Sequence, residues 1–153
     1  MNRQILKDLI AGLKNPAWIC FVWTGLTVGI SFVAVPEIFT APSMARPQAL
    51  AAASAVFAAL SRAELVALVL LLIVIRLSGR ARILWAFASV LTLIVLAQSM
   101  WLLPELVART QQILAGFEPA PSAAHAVYAS LEIVKVLLLL TIGFRTLGSK
   151  AKP

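Results

Sequence analysis

Four apolar runs take up most of this 153-residue chain: approximately Pro16–Phe39, Ala49–Ile75, Ile83–Leu103 and Ser122–Phe144. Coiled as helices at about 1.5 Å per residue, each reaches the roughly 30 Å of hydrocarbon in a bilayer. Backbone N–H and C=O groups find no partner in hydrocarbon, so a lone spanning segment must satisfy them internally, as a helix does. Composition agrees, with 61% hydrophobic residues, 12% charged and a mean hydropathy of +0.97. A soluble domain carries about 25% charged residues. The expectation is one all-α domain over residues 1–153, an integral membrane four-helix bundle with no soluble module.

The chain also matches itself at an offset of 68 residues. Ser31, Pro36, Glu37 and Glu64 fall on Ser99, Pro104, Glu105 and Glu132. From Ser31 to Val74, 12 of 44 positions are identical at that offset. Alanine and leucine matches mean little in so apolar a chain, but four of the six acids pair this way. The reading is two parallel-repeat helix hairpins, related by an axis along the membrane normal.

Charge sets the expected orientation. Arg3, Lys7 and Lys14 precede the first span, Arg76, Arg80 and Arg82 join the second to the third, and Arg145, Lys150 and Lys152 follow the fourth. Only Arg46 and Arg109 lie on the opposite side. Lysine and arginine collect on the cytoplasmic side, so both termini are expected there (N-in/C-in), and the expected location is the bacterial inner (plasma) membrane. The net charge of +7 is distributed beside spans, not along a basic helix interleaved with aromatics. Membrane lipids are therefore the expected partner, and nucleic acid is not. No cleavable signal peptide is expected, because the first span has no small-residue cleavage site. Asn2–Lys14 puts Ile5, Leu6, Leu9, Ile10 and Leu13 on one face, the pattern of a short N-terminal interfacial helix.

Local signals mark the ends. Asn15-Pro16 is a helix start. Gly116 is a C-cap for an extension of the third helix over Pro104–Gly116, in which Glu105 and Arg109 are spaced as a surface ion pair. Trp18, Trp85 and Trp101 fall near span ends, as interfacial anchors do. Gly25 and Gly29 form G-x-x-x-G, which predicts close helix packing, inside the monomer ahead of a dimer seam. Cys20 has no partner cysteine in the chain.

Pro36 and Pro104 fall near the outer ends of the first and third helices, as helix breaks. Each removes one backbone hydrogen bond, giving either a kink or a freed carbonyl that serves as a ligand beside the adjacent acid. Glu37 and Glu105 stand about 33 Å above the inner ends of their helices, at an outer mouth. Glu64 and Glu132 stand about 18 Å above Arg76 and Arg145, near mid-membrane.

On the fourth helix His125, Tyr128, Glu132 and Lys135 are spaced 0, 3, 7 and 10, which places them on one stripe. A charge at mid-bilayer costs about 2.5–3.5 kcal/mol on insertion scales, so such groups face protein or water. The candidate buried polar site is Glu64, Glu132, Lys135, Tyr128 and His125; His125 by itself, near a helix start, also reads as a plain interfacial residue. The site reads either as an ion cluster that locks the helices or as a proton or ion relay. Whether the two glutamate stripes face each other stays open at this level. Arg62, two residues from Glu64, points elsewhere: it snorkels outward or pairs across the bundle.

No metal or cofactor is indicated. Carboxylate di-metal bundles use Glu-x-x-His on two helices, and the positions three beyond Glu64 and Glu132 are Ala67 and Lys135. One histidine cannot supply bis-His haem ligation, no His/Cys spacing suits zinc, and no phosphate-binding glycine motif occurs.

The order Trp-Thr-Gly, Val-Pro-Glu-Ile-Phe, Val56-Phe57-Ala-Ala-Leu, Leu-Pro-Glu-Leu and His125-Ala-Val-Tyr128 resembles the small four-span membrane protein family related to human transmembrane protein 205. The resemblance covers most of the chain. It implies a four-helix integral membrane protein and brings no reaction with it. Acids directly after both prolines, and Lys135, are additions to that pattern.

Three functions fit these features. Transport of an ion or small solute through the mid-membrane carboxylates draws on the repeat and the buried charge. Four helices are few for a carrier, so a homo-oligomer or a larger complex is expected. The second is an accessory or structural subunit of a larger membrane complex. The third is a cofactor-free membrane enzyme on a lipid-soluble substrate, with His125, Tyr128 and Glu132 as acid–base groups.

Overall fold

A computed structural model describes residues 12, 14–79 and 82–147, and all that follows concerns these. The interfacial helix expected over Asn2–Lys14 lies almost wholly outside them. The described chain is helical, with four long apolar helices: α1 (Pro16–Thr40), α2 (Arg46–Leu77), α3 (Arg82–Leu114) and α4 (Ala124–Leu147). Helix α1 packs on α2 and α4, and α3 on α2 and α4, closing a four-membered ring of neighbours. The bundle has a distal end, at the α1–α2 and α3–α4 connections, and a proximal end, at the α2–α3 turn.

The outward faces are apolar. A third or less of the most apolar stretch of each helix is buried, and Val22, Leu93, Met100 and Phe144 lie open on the surface. Such faces suit hydrocarbon, where water would penalise them by about 25 cal/mol per Å². Trp85 and Trp101 are exposed, as membrane anchors require.

Caps follow the local sequence. The Asn15 side chain accepts from the Ala17 N–H at 3.1 Å, and Pro16 occupies the first turn, where its missing N–H costs nothing. At the end of α3, Gly116 takes φ +84°. Its N–H bonds Ile113 O and the Phe117 N–H bonds Gln112 O, the paired bonds that close a helix on a left-handed residue.

The two prolines do not break their helices. Each is preceded by a π-helical stretch, Val28–Ala34 in α1 and Gln98–Leu102 in α3. In both, the residue before proline bonds five residues back: Val35 N–H to Ile30 O, and Leu103 N–H to Gln98 O. Proline supplies no N–H and its ring crowds the carbonyl four residues earlier. The register slips by one residue and the helix continues. Residues 28–34 shifted by 68 become 96–102, which contains the second stretch.

Small residues act where the sequence did not point. Gly25 and Gly29 are exposed, with no atom within 4 Å of an added Cβ. Their expected role in packing inside the monomer is therefore corrected: the inward ridge of α1 is Trp23, Thr27 and Val35, on the opposite side. Close approach occurs at Gly143 of α4, where a Cβ would meet Phe21 Cζ at 3.0 Å and Cys20 Cβ at 3.4 Å.

Candidate buried polar site

The proximal half of the bundle is filled by Ile19, Cys20, Leu71, Ile75, Leu84, Leu91, Leu139 and Ile142, all buried. Directly above them, toward the distal end, the four helices each turn polar side chains inward. Lys135 is completely buried, and Glu64, Glu132 and Gln98 are at most 2% exposed. The two glutamate stripes face each other across this lysine.

The ammonium of Lys135 has three protons and three acceptors. Nζ lies 2.6 Å from Glu64 Oε1, 2.6 Å from Glu132 Oε1 and 3.0 Å from Gln98 Oε1. Gln98 in turn donates through Nε2 to Glu132 Oε1 at 2.9 Å and to the Tyr128 carbonyl at 3.3 Å. Its amide orientation is fixed by these neighbours, since only its oxygen can face an ammonium.

Helix α1 completes the shell. Trp23 Nε1 and Thr27 Oγ1 each donate to Glu64 Oε1 at 3.0 Å. Ser31 Oγ donates to Glu132 Oε2 at 3.2 Å. These three residues recur every fourth position. A regular helix drifts by about 40° over four residues. The wider π turn beyond Thr27 holds Ser31 on the inward side instead. Ser99 of the second π stretch meets Ser61 of α2 at 2.9 Å, one turn from Glu64.

A single layer closes the centre distally. Leu102, Ala124 and Tyr128 are buried together and backed by Phe57, whose ring meets Tyr128 edge-on at 5.5 Å and 71°. The Tyr128 hydroxyl is buried and finds no hydrogen-bond partner among the described residues. Leaving such a group unsatisfied costs about 1–3 kcal/mol, so Tyr128 is held by its ring.

His125 departs from the expected stripe. It is exposed, in the first turn of α4, and lines a separate distal cavity. Ala124, Tyr128, Glu132 and Lys135 are buried positions of that face, and His125 sits at its edge, one residue round from Ala124. His125 is therefore no part of the buried site. Arg62 is exposed on the outward side of α2, as snorkelling predicts, and makes no ion pair among the described residues.

The outer acids are separate from the centre and from each other's partners. Glu37 is exposed and accepts from Thr40 Oγ1 at 3.2 Å, one turn along its own helix. Glu105 accepts from Ser122 Oγ at 3.0 Å, and that serine also accepts from the Ala124 N–H, capping α4. The expected Glu105–Arg109 pair does not form. Arg109 instead donates to the Ala120 carbonyl. Both side chains reach across to the α3–α4 connection and hold it, because its acceptors and hydroxyls lie nearer than the helical neighbour. No cluster of His, Cys, Asp and Glu suited to a metal ion occurs among the described residues.

No family model, curated protein or solved structure matches this chain. The resemblance to the four-span family thus rests on the motif order alone.

Sequence reasoning named Glu64, Glu132, Lys135 and Tyr128 and missed Gln98 and Trp23. Both had a signal. Gln98 is the one carboxamide inside the third apolar run, and Trp23 sits mid-run, away from the interface where Trp18, Trp85 and Trp101 cluster.

Proposed function

We propose that this four-span membrane protein carries an ion, most simply a proton, through the Glu64–Lys135–Glu132 centre. The supporting observation is a charge count. Two carboxylates share one ammonium whose three protons are all engaged. With both acids ionised the buried centre holds one uncompensated negative charge, which is expensive away from water. One proton, or one monovalent cation, balances it. Glu64 gathers its three donors on Oε1, which leaves Oε2 for that proton.

Access is from the distal side. One apolar layer, with the Tyr128 hydroxyl inside it, separates the centre from the distal cavity, whereas on the proximal side buried apolar residues fill the bundle from Leu68 to Ile75 of α2 and from Leu139 to Ile142 of α4. In this reading both termini are cytoplasmic, the membrane is the bacterial inner membrane, the two hairpins are copies of one ancestor, and the chain works as a homo-oligomer. Membership in the family related to human transmembrane protein 205 belongs with the same proposal.

The test is proton or cation flux into proteoliposomes driven by a potassium diffusion potential, for wild type and Glu132→Gln. Flux in the wild type that the variant loses while keeping its fold supports transport. Equal flux in both proteins removes the centre from the path.

A second reading, an accessory subunit, is favoured by Arg62. An arginine exposed on the outward side of α2, about 21 Å above Arg76 by helical rise, suits an acidic group on a partner helix. Cross-linking from residue 62 to a stoichiometric second protein in native membranes would establish it.

A further inference from the structure

The distal cavity has a chemistry of its own, independent of the transport reading. It lies among the ends of all four helices and encloses about 220 Å³. Val35, Phe57 and Leu103 form its floor, against the layer that closes the buried centre. Its walls are otherwise mostly aliphatic, but Arg109 and His125 also line it. Both stand distal to that floor. Arg109 is six residues beyond Leu103, about 9 Å along α3, and His125 is in the first turn of α4. No carboxylate lines the cavity among the described residues. Glu105, one turn below Arg109, is engaged with Ser122.

An apolar floor beneath a rim that carries a guanidinium and an imidazole selects an amphiphile. The geometry points to a binding site for a free single-chain carboxylate of medium length, tail on the Phe57 floor and carboxylate against Arg109 and His125. Size limits the tail. Sites for drug-sized ligands span about 300–1,000 Å³, and this cavity is smaller, which suits one short chain. Arg109 spends one N–H on the Ala120 carbonyl, and a guanidinium has five. The remaining donors suit a planar carboxylate.

The experiment is titration of the full chain, in amphipol, with octanoate and with 1-octanol, read by calorimetry and by native mass spectrometry. One octanoate per chain is expected, with 1-octanol about tenfold weaker, the effect of losing a charge-assisted hydrogen bond. Arg109→Gln weakens octanoate about tenfold and leaves octanol unchanged, while Arg109→Lys, a point charge without the planar fork, keeps only part of the affinity. Ser54→Phe, which fills the half-buried wall, abolishes both, with helix content checked by circular dichroism. Equal binding of acid and alcohol overturns the proposal, as does octanoate binding that Arg109→Gln does not weaken. A copurified phospholipid that octanoate fails to displace overturns it too. Binding is read without flux, so its failure leaves the charge centre untouched.

Discussion

Gln98 bridges Lys135 and Glu132, accepting from the first at 3.0 Å and donating to the second at 2.9 Å. It is a neutral member of the buried centre, and two of its three hydrogen bonds go to charged groups, the third to the Tyr128 carbonyl. Replacing it by leucine leaves an ammonium proton and a carboxylate lone pair unsatisfied in an apolar interior. Hydrogen bonds to charged groups are worth about 1.5–3 kcal/mol each. Gln98→Leu is therefore expected to destabilise the detergent-purified protein by about 3 kcal/mol. Thermal unfolding followed by tryptophan fluorescence checks this; an unchanged transition would show that the bridge carries no load.

Gly143 and Gly25 make opposite predictions. A side chain at Gly143 drives into Phe21, which already packs edge-on against Phe144 at 5.2 Å. Overpacking of this kind costs about 1–3 kcal/mol, so Gly143→Leu lowers thermal stability. At Gly25 nothing lies within 4 Å, and alanine is the better helix former by about 1 kcal/mol. Gly25→Ala is neutral or stabilising in the same assay. The reverse order would mean that α1 presents a different face to the bundle.

The spans and the heights of the charges were legible because they depend only on run length and rise per residue. Glu64 and Glu132 were placed at one level by counting from Arg76 and Arg145, and they do share Lys135 at 2.6 Å. Which way a residue faces was less legible. Facing accumulates about 100° per residue, so one register slip turns everything beyond it. The slip before Pro36 keeps Ser31 toward the centre, and nothing in hydropathy records a slip; Gln98 continues the regular inward spacing of Leu84, Ala88, Leu91 and Val95. Gly25 and Gly29 misled for a related reason: spacing says that two small residues share a face, not which face it is. The i, i+4, i+8 polar series Trp23, Thr27 and Ser31 was the better guide to the inward side of α1.

The prolines give a sharper test of the slip. Pro104→Ala restores an N–H and removes the ring that crowds Met100 O, so α3 can return to regular α-helical bonding. That return turns α3 beyond Gln98 relative to residues 82–97, and keeping Leu102 in the distal layer then pulls Gln98 off Lys135. The expected result is a loss of stability of about 2–3 kcal/mol, like that of Gln98→Leu, despite the better helix former. The double variant Pro104→Ala/Gln98→Leu should then cost little more than either alone, because both remove one interaction. Additive losses would separate the proline from the bridge.

The charge count itself predicts an order that rises and falls with each substitution. Glu64→Gln or Glu132→Gln leaves one carboxylate against one ammonium, a balanced pair with its hydrogen bonds kept by the amide. Each single variant should unfold within about 1 kcal/mol of wild type, since amide replaces acid at constant shape. Glu64→Gln/Glu132→Gln strands the ammonium of Lys135, and Lys135→Met strands two carboxylates. A buried charge without its partner costs about 3–5 kcal/mol. Both should therefore be severely destabilised. The triple variant, with Lys135→Met added to the two glutamines, removes every charge and recovers most of the loss. Thermal scanning of the five proteins reads this directly. A steady decline with each substitution would mean that packing, not charge balance, holds the centre. Recovery in the triple variant, together with flux lost in the two stable single variants, ties the uncompensated charge to the carried ion rather than to the fold.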